Sequence, residues 1–350
     1  MSELLQGPPF SARDERSLVR ELDELTRLHL KGSVSYARIW PDYASRSPAQ
    51  AAEELPWLHV GLFKHVTLAT ERADLTHQRT LRSSATSGLA SRIRLDDRSS
   101  ALQSESSVAI LRDFVGEAKR PLLVLDGMKS LRLAGEVSAR VAAALSLRPL
   151  ADDLVFLLAD AEDPRSMRWD ALERAIEGSD ELLVYGLSYL LWFGWARAAW
   201  PSRLAELLAR KRVVFVHSGG WKKLESERVS ARELEQVVLA TAGPGSRVVD
   251  FYGLVEQVGV IYPLCEYGFR HVPRWAEVIV RDTYTRAPLY GAPGQLQLLN
   301  VLALGAPYHS VLTEDLGRIE SGTCPCGRSG RRFELLGRLP KSELRGCGSV

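Results

Sequence analysis

Cysteine is scarce in this chain. There are four in 350 residues, and none precedes Cys265. Cys265, Cys324, Cys326 and Cys347 all fall in the last quarter. In a reducing compartment, such clustering points to metal binding or thiol chemistry before disulfides. Net charge is nearly absent too. Forty-five Lys and Arg stand against 43 Asp and Glu, leaving +2. That balance offers no electrostatic case for binding nucleic acid. No apolar run is long enough to cross a bilayer comfortably, the longest being Leu182 to Ala196. The first residues, Met1 to Gln6, lack the basic-then-apolar order of a signal peptide. No Gly/Ser-rich linker and no internal repeat is visible. These absences together predict a soluble cytoplasmic protein with neither a nucleic-acid nor a membrane partner.

What is present is core-forming material. Apolar residues make up 45% of the chain, enough for one large α/β body. Leu18, Leu22, Leu25 and Leu28 recur at helical spacing within 12–31. A mostly helical part over residues 1–78 follows from this. Beyond it, apolar strands alternate with helices. The strands are read at 121–126, 154–158, 181–186, 212–217 and 247–253, with helices at 99–119, 131–146, 204–210 and 231–240. Ser188 is placed to cap a further helix running to Trp200. This alternation predicts a mainly parallel sheet covered on both faces. Residues 79–275 are assigned to that core. From about 276 the pattern changes to short strands (277–282, 294–299, 317–320), giving a β-rich portion over 276–340 and a tail over 341–350.

Several loops carry candidate chemistry. Ser83, Ser84, Thr86, Ser87 and Gly88 lie together before Arg92–Asp96, which alternates like a half-buried strand. Their hydroxyls and backbone N–H groups suit phosphate oxygens, although a plain polar turn has the same composition. In open α/β sheets, ligands gather beyond the carboxyl ends of strands. There the chain has His217-Ser218-Gly219-Gly220-Trp221-Lys222 and Tyr252-Gly253-Leu254-Val255-Glu256. Thr313-Glu314-Asp315-Leu316-Gly317-Arg318 and Leu336-Gly337-Arg338 follow. Each motif alone is common in structural turns.

Their order is more specific, and it resembles the adenylate-forming enzymes. Within that group the chain most resembles the acyl-protein synthetases (long-chain-fatty-acid–luciferin-component ligases), with phenylacetate-CoA ligases as more distant relatives. The resemblance spans roughly residues 35–350. It is carried by Leu55-Pro56-Trp57, Leu62-Phe63-Lys64, Ser83 to Gly88, Val216 to Lys222, Tyr252-Gly253, Glu256-Gln257, Cys324-Pro325-Cys326-Gly327-Arg328 and Arg345-Gly346-Cys347. It implies an α/β adenylate-forming large domain with mainly parallel sheets and a β-rich C-terminal portion. It also implies ATP-dependent conversion of a carboxylic acid, a fatty acid above all, to acyl-adenylate. The acyl group would then pass to Cys347, or to a partner reductase or carrier protein. A CoA ligase releasing free acyl-CoA, and an inactive adapter that binds a reductase or carrier, are the alternatives.

Carried over residue by residue, the resemblance gives Ser83, Ser84, Thr86, Ser87 and Gly88 to the phosphates. Gly219, Gly220 and Tyr252 would meet adenine, Asp315 the ribose, and Gly253 would belong to the same ATP site. Arg338 would lie near ribose or phosphate, and Glu256 would serve Mg²⁺. Ala85 stands where the usual loop has glycine, and Val255 where threonine is common. The small C-terminal domain with its catalytic lysine is not expected, so Lys222, Lys223 or Lys341 is a candidate substitute. Arg345, two residues from Cys347, suits a lowered thiol pKa.

Cys265-x5-His271 and Cys324-x-Cys326 supply three thiols and an imidazole, a set that suits one tetrahedral structural zinc. Ordinary buried thiols are the other reading. His217 is either close to substrate or a satisfied strand-end histidine. Tyr185, Tyr189, Trp192, Phe193 and Trp195 either line an acyl pocket or are core.

Overall fold

The computed structural model of the chain describes residues 3–83, 90–128, 136–219, 221–320 and 322–340. They fall into two compact units. One comprises the described parts of 108–253, and the other those of 3–83, 90–107 and 254–340.

The first unit is built on five strands: β1 (Arg120–Gly127), β2 (Ala151–Leu158), β3 (Glu181–Leu187), β4 (Arg212–Ser218) and β5 (Arg247–Tyr252). They run parallel in the order β2-β1-β3-β4-β5. Val124 of β1 sits in register with both Phe156 of β2 and Tyr185 of β3. Parallel strands are covered on both faces and so read as continuous apolar runs. Accordingly Leu122, Leu123, Leu182, Leu183, Val213 and Val214 are wholly buried. Helices Trp169–Gly178, Ser202–Leu208 and Ala231–Leu239 contribute Leu172, Ile176, Leu208, Leu234 and Val238 to the same core. The last begins at Ser230, whose hydroxyl accepts from Glu233 N–H at 3.1 Å. The strand order reverses direction between β1 and β3. That switch point is where open α/β sheets leave a crevice.

Two stretches of this unit differ from the sequence expectation. Residues 136–138 form a short strand, and the helix is confined to Ala139–Ser146; residues 131–135 lie outside the described ones. The single helix expected from Ser188 to Trp200 is instead one α turn, Ser188–Leu190, followed by a π-helical segment, Leu191–Ala196. It closes with Arg197 N–H donating to Trp192 O at 2.9 Å. Leu187, not Ser188, occupies the N-cap. The cause is packing. Leu190, Leu191, Trp192, Gly194 and Trp195 are all buried, more than one α-helical face holds. The wider π turn brings them inward together. Trp195 fits edge-on to Phe215 at 5.5 Å and to Trp200 at 4.9 Å.

The second unit carries an antiparallel sheet of β6 (Ala276–Arg281), β7 (Gly294–Asn300), β8 (Ser310–Glu320) and β9 (Arg332–Arg338), in that order. Leu58–His59 adds in parallel to β8, and Arg270–His271 antiparallel to β9. The sequence marks only 317–320 of the eleven-residue β8 as a strand. Its buried Ser310, Thr313 and Asp315 mask the apolar pattern. Strands His77–Arg82 and Arg92–Asp96 pair antiparallel. As the alternation predicts, Ile93 and Leu95 are buried and Arg92 is exposed, but Asp96 departs from it and is buried.

Helix Glu15–Gly32 realises the predicted leucine stripe, with Leu18 and Leu22 fully enclosed and Asp14 capping Arg16 N–H. The same face carries His29, whose Nε2 donates to Ala303 O at 2.9 Å and whose Nδ1 accepts from the Thr70 hydroxyl at 2.7 Å. Thr26 donates to Leu22 O, so it accepts from His309 Nε2 at 2.8 Å. The two imidazoles lie 4.8 Å apart. Burial holds both neutral. His29 is lowered well below its ordinary value, with the His309 ring adding to the effect. Burial alone takes His309 to about 3. The unfolded chain takes up these protons near pH ~6.5. The folded chain refuses them, so stability is lost as pH falls from that value toward about 3 for His309. The expected slope is about 1.4 kcal/mol per pH unit for each histidine. Urea denaturation at several pH values checks this, with His309→Gln expected to flatten the profile; an equal slope in both proteins would contradict it.

Candidate active site and a cysteine–histidine cluster

In the α/β unit, the strand ends carry the predicted loops. Ser188 follows the end of β3, β4 ends in His217-Ser218 with Gly219 next, and β5 ends at Tyr252 with Gly253 next. The Ser188 hydroxyl donates to Gly219 O at 2.7 Å. With its single proton committed there, it accepts from His217 Nδ1 at 3.0 Å. Asp250 Oδ1 lies 3.9 Å from the same nitrogen. His217 is therefore buried and held in its Nδ1–H form, at a strand end tied to the loop. Gly219 has φ +78°, a conformation that favours glycine, and it is exposed. Tyr252 is half-buried and Gly253 exposed. Ser188 and Asp250 were not singled out as loop supports in the sequence. Their only sequence signal is position at a strand end. Gly220 and the side chain of Lys222 lie outside the described residues.

In the β-rich unit, Glu256 lies in a single turn, Val255–Gln257. It is buried, and burial pushes its carboxyl up. A hydrogen bond from Ser91 and the Lys64 charge oppose that rise, whereas Asp315 adds to it. Asp315, on β8, lies opposite Arg338 of β9, and Arg338 Nε donates to its Oδ1 at 3.2 Å. Asp315 is nearly buried, whereas the Arg338 side chain is 72% exposed. Asp315 and Arg338 are thus brought together, and Asp315 is one of the charges acting on Glu256. Ser91 is a partner the sequence did not suggest. Ser83 remains at the mouth of the hydroxyl-rich loop, where Ser91 N–H donates to its Oγ at 2.9 Å and Ser83 N–H to Ser91 O at 3.1 Å. Ser84, Thr86, Ser87 and Gly88, like Cys347, lie outside the described residues.

The same unit gathers Cys265, His271, Cys324 and Cys326. Their ligand atoms all lie within 4.8 Å of one another. Cys265 Sγ is 3.9 Å from Cys324 Sγ, and Cys326 Sγ is 3.2 Å from His271 Nε2. Ligand atoms around one tetrahedral zinc sit about 3.5–3.8 Å apart, so the set fits one such ion. Gly268 and Gly327, with φ near +82°, turn the backbone around Cys265 and Cys326. Burial, with the Arg328 and Arg332 charges, takes His271 to about 4. Burial and the neighbouring thiols push Cys324 up to about 11. Burial also acts to raise Cys326, but the backbone N–H and guanidinium of Arg328 help to hold it below its ordinary value.

The fold defines the class. The chain superimposes on 2-hydroxyisobutyryl-CoA ligase, solved in an open conformation with 2-HIB-AMP and CoA, at a TM-score of 0.61 and 14% identity, covering 93% of this chain and 69% of that one. An ATP-bound RpMatB-BxBclM chimera matches at 0.51 and 17% identity, covering 77% of this chain and 49% of that one. The N-terminal domain of FACL13 from Mycobacterium tuberculosis matches at 0.50 and 15% identity, covering 77% and 63%. The architecture is that of the adenylate-forming ligases. The family model for "Acyl-protein synthetase, LuxE" matches residues 48–350, and the chain belongs to that family. It is accordingly an acid–thiol ligase of the AMP-forming type, which activates a carboxylic acid with ATP for an acceptor. No curated protein matches significantly. No described helix is long and apolar enough to cross a membrane.

The Ser188 link supports the β4 loop. Ser188→Ala removes a buried partner from both Gly219 O and His217 Nδ1, and is expected to cost about 1–3 kcal/mol. Urea denaturation measures it, and Ser188→Thr is expected to recover part of the loss.

Proposed function

We propose that the chain converts a long-chain fatty acid to its acyl-adenylate and passes the acyl group to Cys347, from which a partner reductase or carrier protein collects it. The Asp315–Arg338 pair beside the buried Glu256 carries this reading. A nearly buried carboxylate held by a largely exposed guanidinium offers acceptors for ribose hydroxyls and a cation for phosphate.

In the first step a carboxylate oxygen of the acid attacks the α-phosphorus of ATP. The new O–P bond forms as pyrophosphate leaves. Charge spreads over the transferring phosphoryl oxygens, so positioning and electrostatic stabilisation supply most of the catalysis. Ser83, Ser84, Thr86, Ser87 and Gly88 are assigned to the phosphates, and Gly219, Gly220, Tyr252 and Gly253 to the base. Glu256 is assigned to Mg²⁺, which would supply charge neutralisation at the phosphates. A carboxylate that burial alone drives toward neutrality suits a nearby cation. Lys222 is the candidate cation toward the reacting carboxylate. In the second step the Cys347 thiolate attacks the acyl carbonyl, the thioester bond forms, and AMP leaves with the electron pair.

The cysteine–histidine cluster is assigned to one structural zinc. With three thiols and one imidazole its coordination is closed, so it would serve the fold and not the reaction. Metal analysis of purified protein is expected to give about one zinc per chain, falling toward zero with lowered thermal stability in Cys326→Ser. A folded, metal-free wild type would remove the assignment.

Intact mass after incubation with Mg·ATP and a panel of fatty acids tests the main reading. An acyl adduct is expected on wild type and absent from Cys347→Ser. Pyrophosphate release without an adduct, and free thioester on adding CoA, would replace it with direct transfer to a soluble thiol. Asp315→Ala is expected to lower kcat/KM for ATP by about 10- to 100-fold, mainly through KM, since a hydrogen bond to a charged group contributes about 1.5–3 kcal/mol and a ribose contact is made before the transition state.

A further inference from the structure

The proposed reaction leaves one cavity of the α/β unit unused. It lies between the loop that follows β2 and the π-helical segment, with a volume of ≈ 410 Å³. That is within the usual size of small-molecule sites, about 300–1,000 Å³. Met167, Trp169 and Phe193 give it an apolar, largely aromatic lining, and Gly194 and Ala198 leave it room. Arg165 and Arg197, both exposed, complete it.

The walls are fixed before any ligand arrives. Ser166 ties the loop: its one hydroxyl proton is shared between Asp163 O at 2.7 Å and Asp160 O at 2.9 Å, and its oxygen accepts from Asp160 N–H at 3.0 Å. Ala159 N–H donates to Ser166 O at 2.9 Å. On the opposite wall, Gly194 lies so near the loop that an added Cβ would sit 2.8 Å from Pro164 O. The π turn itself is a feature found disproportionately at functional sites.

Neither Arg165 nor Arg197 forms an ion pair with a described residue, although the loop also carries Asp160, Glu162 and Asp163; of these, Asp160 and Asp163 are turned to the backbone N–H groups of Glu162 and Arg165. Arg197 lies over the Trp192 ring, 5.4 Å from its centroid. Two unpaired guanidiniums beside an apolar, aromatic pocket select an anion with an apolar body.

We propose that this pocket is an accessory site for a long-chain fatty acid, bound as its carboxylate. The chain lies against Met167, Trp169 and Phe193, and the carboxylate is held by Arg165 and Arg197. An acid held by its carboxylate cannot attack phosphorus, so this molecule is additional to the one being activated. The choice of a fatty acid rests on the function proposed above; the class of anion rests on the pocket alone.

Equilibrium dialysis of the full-length protein with radiolabelled tetradecanoate, without ATP, is the test. Arg165→Glu/Arg197→Glu changes two exposed side chains. Ala198→Trp fills the space and leaves the charge. Wild type is expected to bind one more equivalent of tetradecanoate than either variant, and that difference should vanish with tetradecanol. Equal stoichiometry in all three proteins, or displacement of the extra equivalent by CoA, would overturn the site. Tetradecanoate-dependent ATP–pyrophosphate exchange, run on the same samples, should be unchanged by the variants. Exchange lost in wild type too would count against the function proposed above, while the dialysis comparison would still decide the pocket.

Discussion

A parallel sheet buried on both faces constrains the α/β unit more than any single contact. The strands β1, β3 and β4 are close to inaccessible along their middles, so nothing chemical can be mounted there. Polar groups are confined to the ends, and in this topology the carboxyl ends offer the crevice. Ser188, His217, Gly219 and Tyr252 all lie at those ends. The hydroxyl of Ser188 joins the end of β3 to the loop after β4. A loop positioned by rigid strands on either side keeps a fixed shape without bulky side chains of its own. That frees its glycines for close approach by a flat ring.

The β-rich unit solves a different problem. It buries charge. Glu277 is enclosed on β6, where burial pushes its carboxyl up, and it is met by Arg13 at 2.5 Å and Arg331 at 3.3 Å. Arg281 is similarly enclosed and donates to Gln297 and to Glu53 O. Removing one member of such a set would strand the other in a medium of low polarity. The network therefore ties the N-terminal segment to β6, and favours a single register for the sheet. Asp315 and Arg338 stand apart from this pattern. Their pair has one buried and one open member. An open guanidinium faces solvent, where a ligand can reach it, as it could not reach a fully enclosed pair.

Much of this was legible in the sequence, for identifiable reasons. Strands such as Leu122–Leu125 and Val213–Val216 are uniformly apolar because both faces are covered, and they are short enough to exclude a helix. The leucine stripe of 18–28 states its own period. The failures are equally specific. β8 is legible only at its end because buried hydroxyls and a carboxylate interrupt it. The stretch after Ser188 reads as one helix because its apolar residues are consecutive, and consecutive residues do not distinguish an α from a π turn. Nothing in the sequence links Ser91 to Glu256, because 164 residues lie between them and only the fold closes that distance. The cysteines and His271 were found because few residue types ligate soft metals and this chain has few of them.

That scarcity also bears on where an acyl group could rest. Cys265 and Cys324 are buried, and burial pushes Cys324 further from the thiolate. Cys326 is held toward the thiolate, but it faces His271 at 3.2 Å within the same cluster. A thioester there would have to displace one of four close-packed groups. Nucleophilic transfer needs a thiolate that can reach both an adenylate and a second protein. None of the described cysteines meets both requirements. Under the proposed reaction, the acceptor is therefore Cys347 or a thiol that another molecule brings.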